Sequence, residues 1–449
     1  MKKILSVMCV LAIAAALFTG CSKGGAKKGV TINLWSFTDE IPGMVDKYIA
    51  NHPDCGFTVN TTIIATTEGA YQPALDQALM SGGADAPDMY AAESAFVLKY
   101  SQGDMQQYAM PYKDLGIDID AKIKAAEIAP YTVDIGSNTS GQVDALGYQT
   151  TGGCFIYRRS IAKKVFGTDD PKAVNDIIGG GSGNWTKFNA AAAKLGDAGV
   201  AIVSGDGDIW HAYENSSDKG WIVDGKLYID PKREAFIDAS KALTDNGWSN
   251  QTQDWTDAWF ADMKDTGAKP CFGFFGPAWL INYTLAPNCG GSKVGEGTYG
   301  DWAVCNSPIG FFWGGTWLFA NKNVPAAKKA AVKTIIEWIT LDTTNDGLLY
   351  KWANGTLNGE GGTKDTVSSG VVLSKSNGEL AFLGGQNMFD YFVPANKYAN
   401  GKNLTQYDET INSLWREQVR AYANGQKSRA DAIADFKQNV ADKLGVESK

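Results

Sequence analysis

In the first part of this chain, segments with the apolar pattern of a β-strand alternate with segments that have the apolar pattern of a helix. Residues 30–35 and 57–64 are β-branched and predict strands, and residues 88–90 predict a third, shorter strand. Residues 40–51 and 71–80 predict helices between them, the second with Leu75 and Leu79 on one face. Alternation of strand and helix predicts an α/β layer with a mostly parallel sheet.

The rest of the chain continues the mixture. Residues 148–157 predict an extended crossing, and residues 353–370 predict a long surface loop. Thr186 and Pro325 predict helix starts, as a cap and as a first-turn proline. Further helices are predicted at 231–246, 254–264, 406–423 and 429–444, and strands near 271–275 and 302–305. Trp338 and Trp415 lie on helical apolar stripes and are assigned to the core.

The N-terminus has the pattern of a cleavable export signal. Lys2 and Lys3 precede an apolar run over residues 4–18, which is shorter than the roughly 20 residues of a membrane span. Residues 17–21 resemble a bacterial lipobox, which predicts removal of residues 1–20 and lipidation of Cys21. Residues 21–29 are then a flexible tether. The protein is expected outside the cytoplasm, lipid-anchored to the cell membrane. The alternative is an ordinary signal peptide with an incidental cysteine.

Composition limits the classes of protein and partner. Removal of the leader leaves 429 residues, which predicts two domains. The net charge is −8, so nucleic acid is a poor partner. Five cysteines remain, namely Cys55, Cys154, Cys271, Cys289 and Cys305, an odd number that leaves at least one thiol free. A Cys271–Cys289 or a Cys289–Cys305 disulfide stays open.

Motifs for catalysis are largely missing. Residues 295–300 match G-x-G-x-x-G, but residues 301–305 predict a strand where a dinucleotide fold needs a helix. The chain has no phosphate-loop motif and no nucleophile elbow, and neither His52 nor His211 has metal-ligand spacing. We therefore expect no cofactor, no metal and no enzymatic activity, although two unmarked carboxylates could still hydrolyse a sugar.

Residues suited to ligand binding are more prominent. Trp35, Asp39 and Glu40 follow the first predicted strand, and Glu93 follows the third. Ligands of open α/β sheets bind outside the carboxyl ends of strands. Tryptophans can offer flat apolar faces with one polar edge, and a sugar needs such faces together with carboxylates and amides. The candidate tryptophans are Trp210, Trp279, Trp313, Trp317 and Trp352.

Several segments, in this order and spacing, resemble a known family. They are residues 30–37 (VTINLWSF), residues 79–89 (LMSGGADAPDM), the crossing at 144–166, Asn184-Trp185-Thr186, residues 272–280 (FGFFGPAWL), and Gly314-Gly315-Thr316-Trp317 followed by the helix at 326–340. Together they are similar to the carbohydrate-binding lipoproteins of ABC importers, extracellular solute-binding protein family 1, which includes maltose-binding protein. The chain departs from the family pattern at Ala278, where the family has a stacking tryptophan, with Trp279 one place on.

The resemblance implies a type II periplasmic-binding-protein-like α/β fold with two lobes and a hinge that is crossed more than once. The approximate lobes are 30–147 with 308–352, and 148–307 with 353–449. Carried over by position, the resemblance assigns Glu93, Trp279, Gly314, Gly315 and Trp317 to the ligand-binding set, and it matches the stretch around Asp208 and Trp210 to a loop that lines the cleft. Gln149 of the crossing is also in the predicted set.

The expected function is therefore capture of a sugar or oligosaccharide by cleft closure and delivery to the permease subunits of an ABC transporter, by a monomer. Three alternatives stay open at this point: a binding protein for a quaternary amine, a lipid-anchored glycan hydrolase, and a structural surface adhesin.

Overall fold

The computed structural model describes residues 29–66, 69–359 and 362–448. The predicted leader, the predicted lipidation site Cys21 and residues 22–28 of the tether lie outside the described residues. Within the described ranges, no helix combines the length and the apolar character that crossing a bilayer requires.

Strands form two main sheets and one small hairpin. The first sheet has the order β2-β1-β3-β11-β4, in which β1 is parallel to β2 and β3, and β11 is antiparallel to both neighbours. The second has the order β10-β5-β9-β6, with β6 and β9 parallel. The strands are β1 (Val30–Ser36), β2 (Phe57–Ile63), β3 (Met89–Glu93), β4 (Ala145–Gly147), β5 (Cys154–Arg158), β6 (Ala201–Val203), β7 (Ile222–Val223), β8 (Lys226–Leu227), β9 (Cys271–Gly276), β10 (Trp302–Cys305) and β11 (Thr316–Ala320).

Helices cover both faces of the two main sheets. They are α1 (Glu40–Asn51), α2 (Tyr71–Ser81), α3 (Val97–Ser101), α4 (Ile119–Ala126), α5 (Pro130–Gly136), α6 (Arg159–Phe166), α7 (Pro171–Ile178), α8 (Thr186–Asp197), α9 (Gly207–Asn215), α10 (Pro231–Asp245), α11 (Asp257–Met263), α12 (Ala278–Leu280), α13 (Ala286–Asn288), α14 (Lys329–Thr340), α15 (Leu348–Asn354), α16 (Gly370–Leu373), α17 (Phe389–Ala395), α18 (Asp408–Ala423) and α19 (Arg429–Leu444). A π-helical turn, Ile281–Leu285, joins α12 to α13.

The two faces of the first sheet carry different helices, as the alternation of side chains along a strand requires. Met89 and Ala91 of β3 lie in one apolar cluster with Ile41 of α1, whereas Tyr90 of β3 lies in another cluster with Leu75 of α2. Helix α1 therefore covers one face and α2 covers the other. We call this sheet with its helices the first lobe.

The second sheet packs against the C-terminal helices. Phe155 and Phe275 of the sheet belong to one apolar cluster with Trp415 of α18 and Phe436 of α19. Trp415 is fully buried and Trp338 is nearly so, which confirms that both are core residues. We call this part the second lobe.

Three chain segments cross side by side between the sheets. Residues 148–153 run in the middle, where Gln149 forms a β-bridge with Val367 on one side and Gly152 with Phe312 on the other. The Thr366 hydroxyl donates to the carbonyl of Thr150 at 2.6 Å. The segment predicted as a surface loop at 353–370 is thus partly a buried hinge strand. The first lobe was predicted to end at residue 352. Helix α16, which follows that position, nevertheless contacts α4 of the first lobe.

Three local predictions need correction. Helix α8 begins at Thr186 as expected, but the side chain that accepts the Thr186 N–H is that of Asn184, at 3.1 Å. Helix α14 begins at Lys329, because Pro325 lies in the preceding turn and its carbonyl accepts from the Lys328 N–H. The stretch around residue 208, predicted as a loop, forms the first turn of α9.

Candidate functional site

Carboxyl groups mark the edge of the first sheet. Strand β1 ends at Ser36, Asp39 is exposed just before α1, and Glu40 is the first residue of α1. The Tyr148 hydroxyl donates a hydrogen bond to the Glu40 carboxylate. Burial, together with the charges of Asp365 and Asp39, raises the pKa of Glu40 to about 8. Near neutral pH this carboxyl is therefore largely protonated and is able to donate as well as accept.

Glu93 places a second carboxyl on the same edge, at the end of β3. It accepts hydrogen bonds from the Ala95 N–H at 2.7 Å and the Ser94 hydroxyl at 3.1 Å. Burial raises the pKa of Glu93 to about 7, although these two hydrogen bonds act to lower it. Because its pKa is near neutral pH, the Glu93 carboxyl can accept a hydrogen bond from a ligand hydroxyl or donate one to it.

A buried polar cluster lies beside this edge, where the chain crosses between the lobes. The Gln149 amide donates to the Asp365 carboxylate at 2.9 Å, and the Thr366 N–H donates to it at 2.7 Å. Burial raises the pKa of Asp365 to about 7. The ring of Trp352 meets that of Tyr148 edge-on, with centroids 6.2 Å apart. Glu40 is thereby coupled to the hinge.

Four aromatic side chains gather at the edge of the second sheet. Trp279 follows β9, and its ring lies 4.8 Å from that of Trp313 and 6.4 Å from that of Tyr283, between centroids. Trp255 lies parallel to Trp279 at 6.2 Å and tilted against Trp313 at 5.9 Å. Trp255 is 46% exposed and Tyr283 is 55% exposed. We call Trp255, Trp279, Tyr283 and Trp313 the ring cluster.

Backbone geometry holds the ring cluster in place. The Trp279 indole N–H donates to the carbonyl of Trp313 at 3.0 Å. Gly314 has φ +75°, and a Cβ there would lie 3.2 Å from the Trp279 indole nitrogen, so this close approach requires glycine. Trp255 has φ +67°, which is rare for a bulky residue and costs about 1–3 kcal/mol. Backbone strain of this kind concentrates at functional sites.

His211 extends the ring cluster on its second-lobe side. Its imidazole stacks on Trp313 with centroids 4.4 Å apart, and its Nδ1 lies 2.9 Å from a Glu214 carboxylate oxygen. Burial alone would raise the pKa of Glu214, but the hydrogen bond and charge of His211, with the charge of Arg233, hold it below the usual range. His211 therefore has an anionic partner that fixes its ring against Trp313.

The two edges face each other. Burial raises the pKa of Tyr283, and the charges of Asp39 and Glu40 raise it further. The Asn282 amide, next to Tyr283, also donates to the Lys364 carbonyl beside Asp365, so the second-lobe ring lies near the first-lobe carboxyls. Asp39, Glu40 and Glu93 were predicted from strand ends, and Trp279 and Trp313 as candidate tryptophans. Sequence reasoning missed Trp255 and Asp365, which follow no predicted strand end or matched motif. It also missed Tyr283, which lies three residues beyond the matched segment 272–280.

Other predicted residues lie among core side chains. Trp210 and Trp317 are each 1% exposed, and the Trp317 indole donates to the Thr132 carbonyl at 2.8 Å. Asp208 accepts from the N–H groups of Ser204 and Gly205, both at 2.9 Å, and from the Trp259 indole. We leave Trp210, Trp317 and Asp208 out of the proposed ligand contacts, because their faces and lone pairs are engaged internally.

Two predicted residues have supporting positions. Trp35 is half-buried, and its carbonyl accepts from the Tyr71 hydroxyl at 3.3 Å. Gly315 has φ +115°, and its carbonyl accepts from the Ser94 N–H at 3.1 Å, which ties the third hinge segment to the loop after Glu93. Among the described residues, no three His, Cys, Asp or Glu side chains come together as metal ligands.

Comparison with known proteins identifies the family of this chain. A model of the bacterial extracellular solute-binding proteins matches residues 43–360. No curated protein sequence matches the chain. Among solved structures, an extracellular solute-binding protein of family 1 is 16% identical, with a TM-score of 0.71, and the match covers 92% of this chain and 99% of that one.

Two further structures agree in fold. The galacto-N-biose-/lacto-N-biose I-binding protein of an ABC transporter from Bifidobacterium longum is 17% identical, with a TM-score of 0.68, over 94% of this chain and 99% of that one. The sugar-binding protein MalE from Xanthomonas citri is 14% identical, with a TM-score of 0.64, over 92% and 97%. The predicted two-lobe fold class is confirmed. The chain belongs to the bacterial extracellular solute-binding proteins.

Proposed function

We propose that this protein captures a sugar or short oligosaccharide between its lobes and delivers it to the permease of an ABC importer. The observation that carries the proposal is the ring cluster of the second lobe facing the carboxyl edge of the first lobe. Trp255 and Tyr283 expose flat apolar faces, and Asp39, Glu40 and Glu93 stand opposite as hydrogen-bonding groups.

The chemistry of a sugar fits this pairing. The C–H face of a pyranose ring is apolar and stacks on an indole, whereas its hydroxyls need partners that both donate and accept. Glu40 and Glu93, with pKa values of about 8 and about 7, meet that need near neutral pH. Similar structures include proteins described with lacto-N-biose and with β-1,6-galactobiose, which supports a carbohydrate as the ligand here.

Capture follows from the hinge. Three adjacent segments join the lobes. Contacts that a ligand makes to both edges exist only when the lobes are closed. A ligand shifts the balance toward closure by its better contacts in that state. The protein performs no chemistry in this scheme. A lipid on Cys21 would keep the monomer beside its permease at the outer face of the cell membrane, and two acyl chains anchor a protein stably.

Isothermal titration calorimetry against a panel of mono- and oligosaccharides tests the proposal. We expect saturable binding with one site per chain and a change in tryptophan fluorescence. Trp279→Ala should weaken the binding and reduce the fluorescence change, and Trp248→Ala, whose indole lies over Gly196, should leave both intact.

The same preparation tests the alternatives. Choline and betaine should give no binding, since a quaternary amine has no hydroxyls to pair with the hydrogen-bonding groups of the carboxyl edge. The glycan panel should show no hydrolysis. Binding of a quaternary amine without any sugar, turnover of a glycan, or no saturable binding at all would each contradict the proposal.

A further inference from the structure

The helices on the two faces of the first sheet begin at the same edge, so a cleft along this edge has two sides, one beside each helix. Glu40 begins α1 on one face, and Tyr71 begins α2 on the other. We call the side at the start of α1 the α1-side mouth, and the side at the start of α2 the α2-side mouth. The surroundings of the two mouths differ.

Exposed rings line the α1-side mouth. Trp279 packs against the apolar cluster that contains Ile41 of α1, and the Asn282 amide donates to the Lys364 carbonyl in the hinge, so the ring cluster is on this side. Trp255 and Tyr283 are about half exposed here. A sugar chain that leaves the cleft by this mouth therefore meets aromatic faces that are open to solvent.

A segment of the second lobe closes the α2-side mouth. Residues 396–409, which we call the strap, are held to the second lobe by the Asn403 amide, which donates to the Ser217 carbonyl at 2.7 Å. The strap reaches the first lobe at Gly401, where a Cβ would lie 2.5 Å from the Ile135 side chain. Leu404 packs against the apolar cluster that α2 also covers.

Polar contacts complete this closure. The side-chain amide oxygen of Gln406, Oε1, accepts from the Asp104 N–H at 3.1 Å. Gln72, in the first turn of α2, donates to the Glu409 carboxylate at the start of α18. Glu409 also raises the pKa of Glu93, so the strap ends beside the carboxyl edge of the cleft. The strap thus spans both lobes on the face opposite to the exposed rings.

We propose that the strap is an end-stop that makes the site specific for the end of a glycan chain. The terminal sugar would lie toward Glu93 and Glu409, and the rest of the chain would leave over Trp255 and Tyr283. Gln406 and Glu409 are then specificity-determining residues, because they occupy the path that an internal segment of a polysaccharide would need. The inference rests on the proposed function and adds the class of glycan to it.

Tagged sugars test the end-stop. Maltotriose, β-1,6-galactotriose and lacto-N-biose are each prepared free, with a dansyl group on a spacer at the reducing end, and with the same group at the non-reducing end. For each free sugar that binds in calorimetry, we expect one tagged form to keep its affinity. The other should lose about a hundredfold in Kd, because its tag meets the strap.

A cysteine pair identifies the mouth. A bromoacetamide replaces dansyl on the tolerated end, and the protein carries Cys55→Ser with either Tyr283→Cys or Gln406→Cys. The introduced thiol displaces bromide and forms a thioether only where the chain end emerges. We expect labelling of Tyr283→Cys, and none of Gln406→Cys above the level seen with an excess of free sugar.

Every outcome is decisive. Equal binding of both tagged forms would mean that both mouths are open, and loss of both would mean that neither is, so either result overturns the end-stop. Labelling of Gln406→Cys instead of Tyr283→Cys would place the exit at the strap and overturn it too. If no free sugar binds, the proposed function fails and the end-stop fails with it, which is a different result from any of these.

Discussion

The edges of the two sheets face the same cleft with opposite chemistry. The first-lobe edge presents Asp39, Glu40 and Glu93, carboxyls that follow directly from strand ends. The second-lobe edge presents indole and phenol rings, of which Trp255 and Tyr283 are about half exposed. The first-lobe edge therefore supplies carboxyls that can donate or accept hydrogen bonds, and the second-lobe edge supplies aromatic faces on which a ligand can stack.

Indoles near the same edges also differ from one another. Trp317 lies two residues from Gly315 yet is buried, with its N–H bonded to Thr132. Trp279 has its N–H bonded to Trp313 and keeps part of its face open. Position near a strand end therefore does not decide whether an indole serves the core or a ligand.

The largest expected effect separates core indoles from ring-cluster indoles. Trp317→Ala should lower the free energy of unfolding by about 3–5 kcal/mol, because it removes a fully buried side chain. Trp255→Ala should cost less than about 1 kcal/mol, because the residue is 46% exposed and in a strained backbone conformation. Urea unfolding followed by far-UV circular dichroism measures both. Equal costs would contradict the distinction.

Ligand affinity should depend on the indoles of the ring cluster and not on other partly exposed indoles. Trp279→Ala should weaken sugar binding by about 2 kcal/mol, roughly thirtyfold in Kd, because it removes a stacking face at the centre of the ring cluster. Trp248→Ala, on a partly exposed indole outside the ring cluster, should change Kd less than about twofold. Calorimetry measures both, and circular dichroism checks that both variants fold. A thirtyfold loss in Trp248→Ala would point to a general loss of structure.

The carboxyl edge should make stability depend on pH. The pKa of Glu40 rises to about 8 and that of Asp365 to about 7, from ordinary values near 4.5 and 3.8. Between those limits the native state holds protons that the unfolded chain has released. The free energy of unfolding should therefore fall as pH rises from about 5 to about 8, by at least about 1 kcal/mol.

Glu40→Gln sharpens this test, because glutamine keeps the hydrogen-bonding shape without the proton. The variant should lose less stability than the natural protein between pH 6 and pH 8.5 in urea titrations. Carboxyls whose pKa is lowered, such as Glu214 and Asp254, lose their contribution only below about pH 4.5 and do not obscure this window. An unchanged slope would show that Glu40 is ionised in the native state.

The smallest expected effect concerns the cysteine thiols, which are distributed unequally between the two lobes. Four buried cysteines, Cys154, Cys271, Cys289 and Cys305, lie in the second lobe, and the partly exposed Cys55 lies in the first. All five are free, so neither disulfide left open by the sequence is formed. Dithiothreitol should shift the free energy of unfolding by less than about 0.5 kcal/mol. A larger loss of stability on reduction would reveal a disulfide.

Sequence reasoning found most of the elements and half of the site. The strands at β1 and β2 and the helices α1, α2, α18 and α19 came from local periodicity, which depends on neighbouring residues only. The hinge strand around Asp365 looked like a polar loop, because its partners at residues 148–150 are more than 200 positions away. Sequence reasoning missed Trp255 and Tyr283 for a similar reason, because only the fold brings them beside Trp279 and Trp313.

The sequence by itself determined the α/β character, the carboxyl edge of the first lobe and the membership of a two-lobe family, because strand ends and spaced motifs are local features. Only the tertiary structure decided which indoles face the cleft, since burial depends on what packs against each ring. It also decided that residues 396–409 cross from one lobe to the other, because that contact joins Gln72 to Glu409, which are 337 positions apart in the chain.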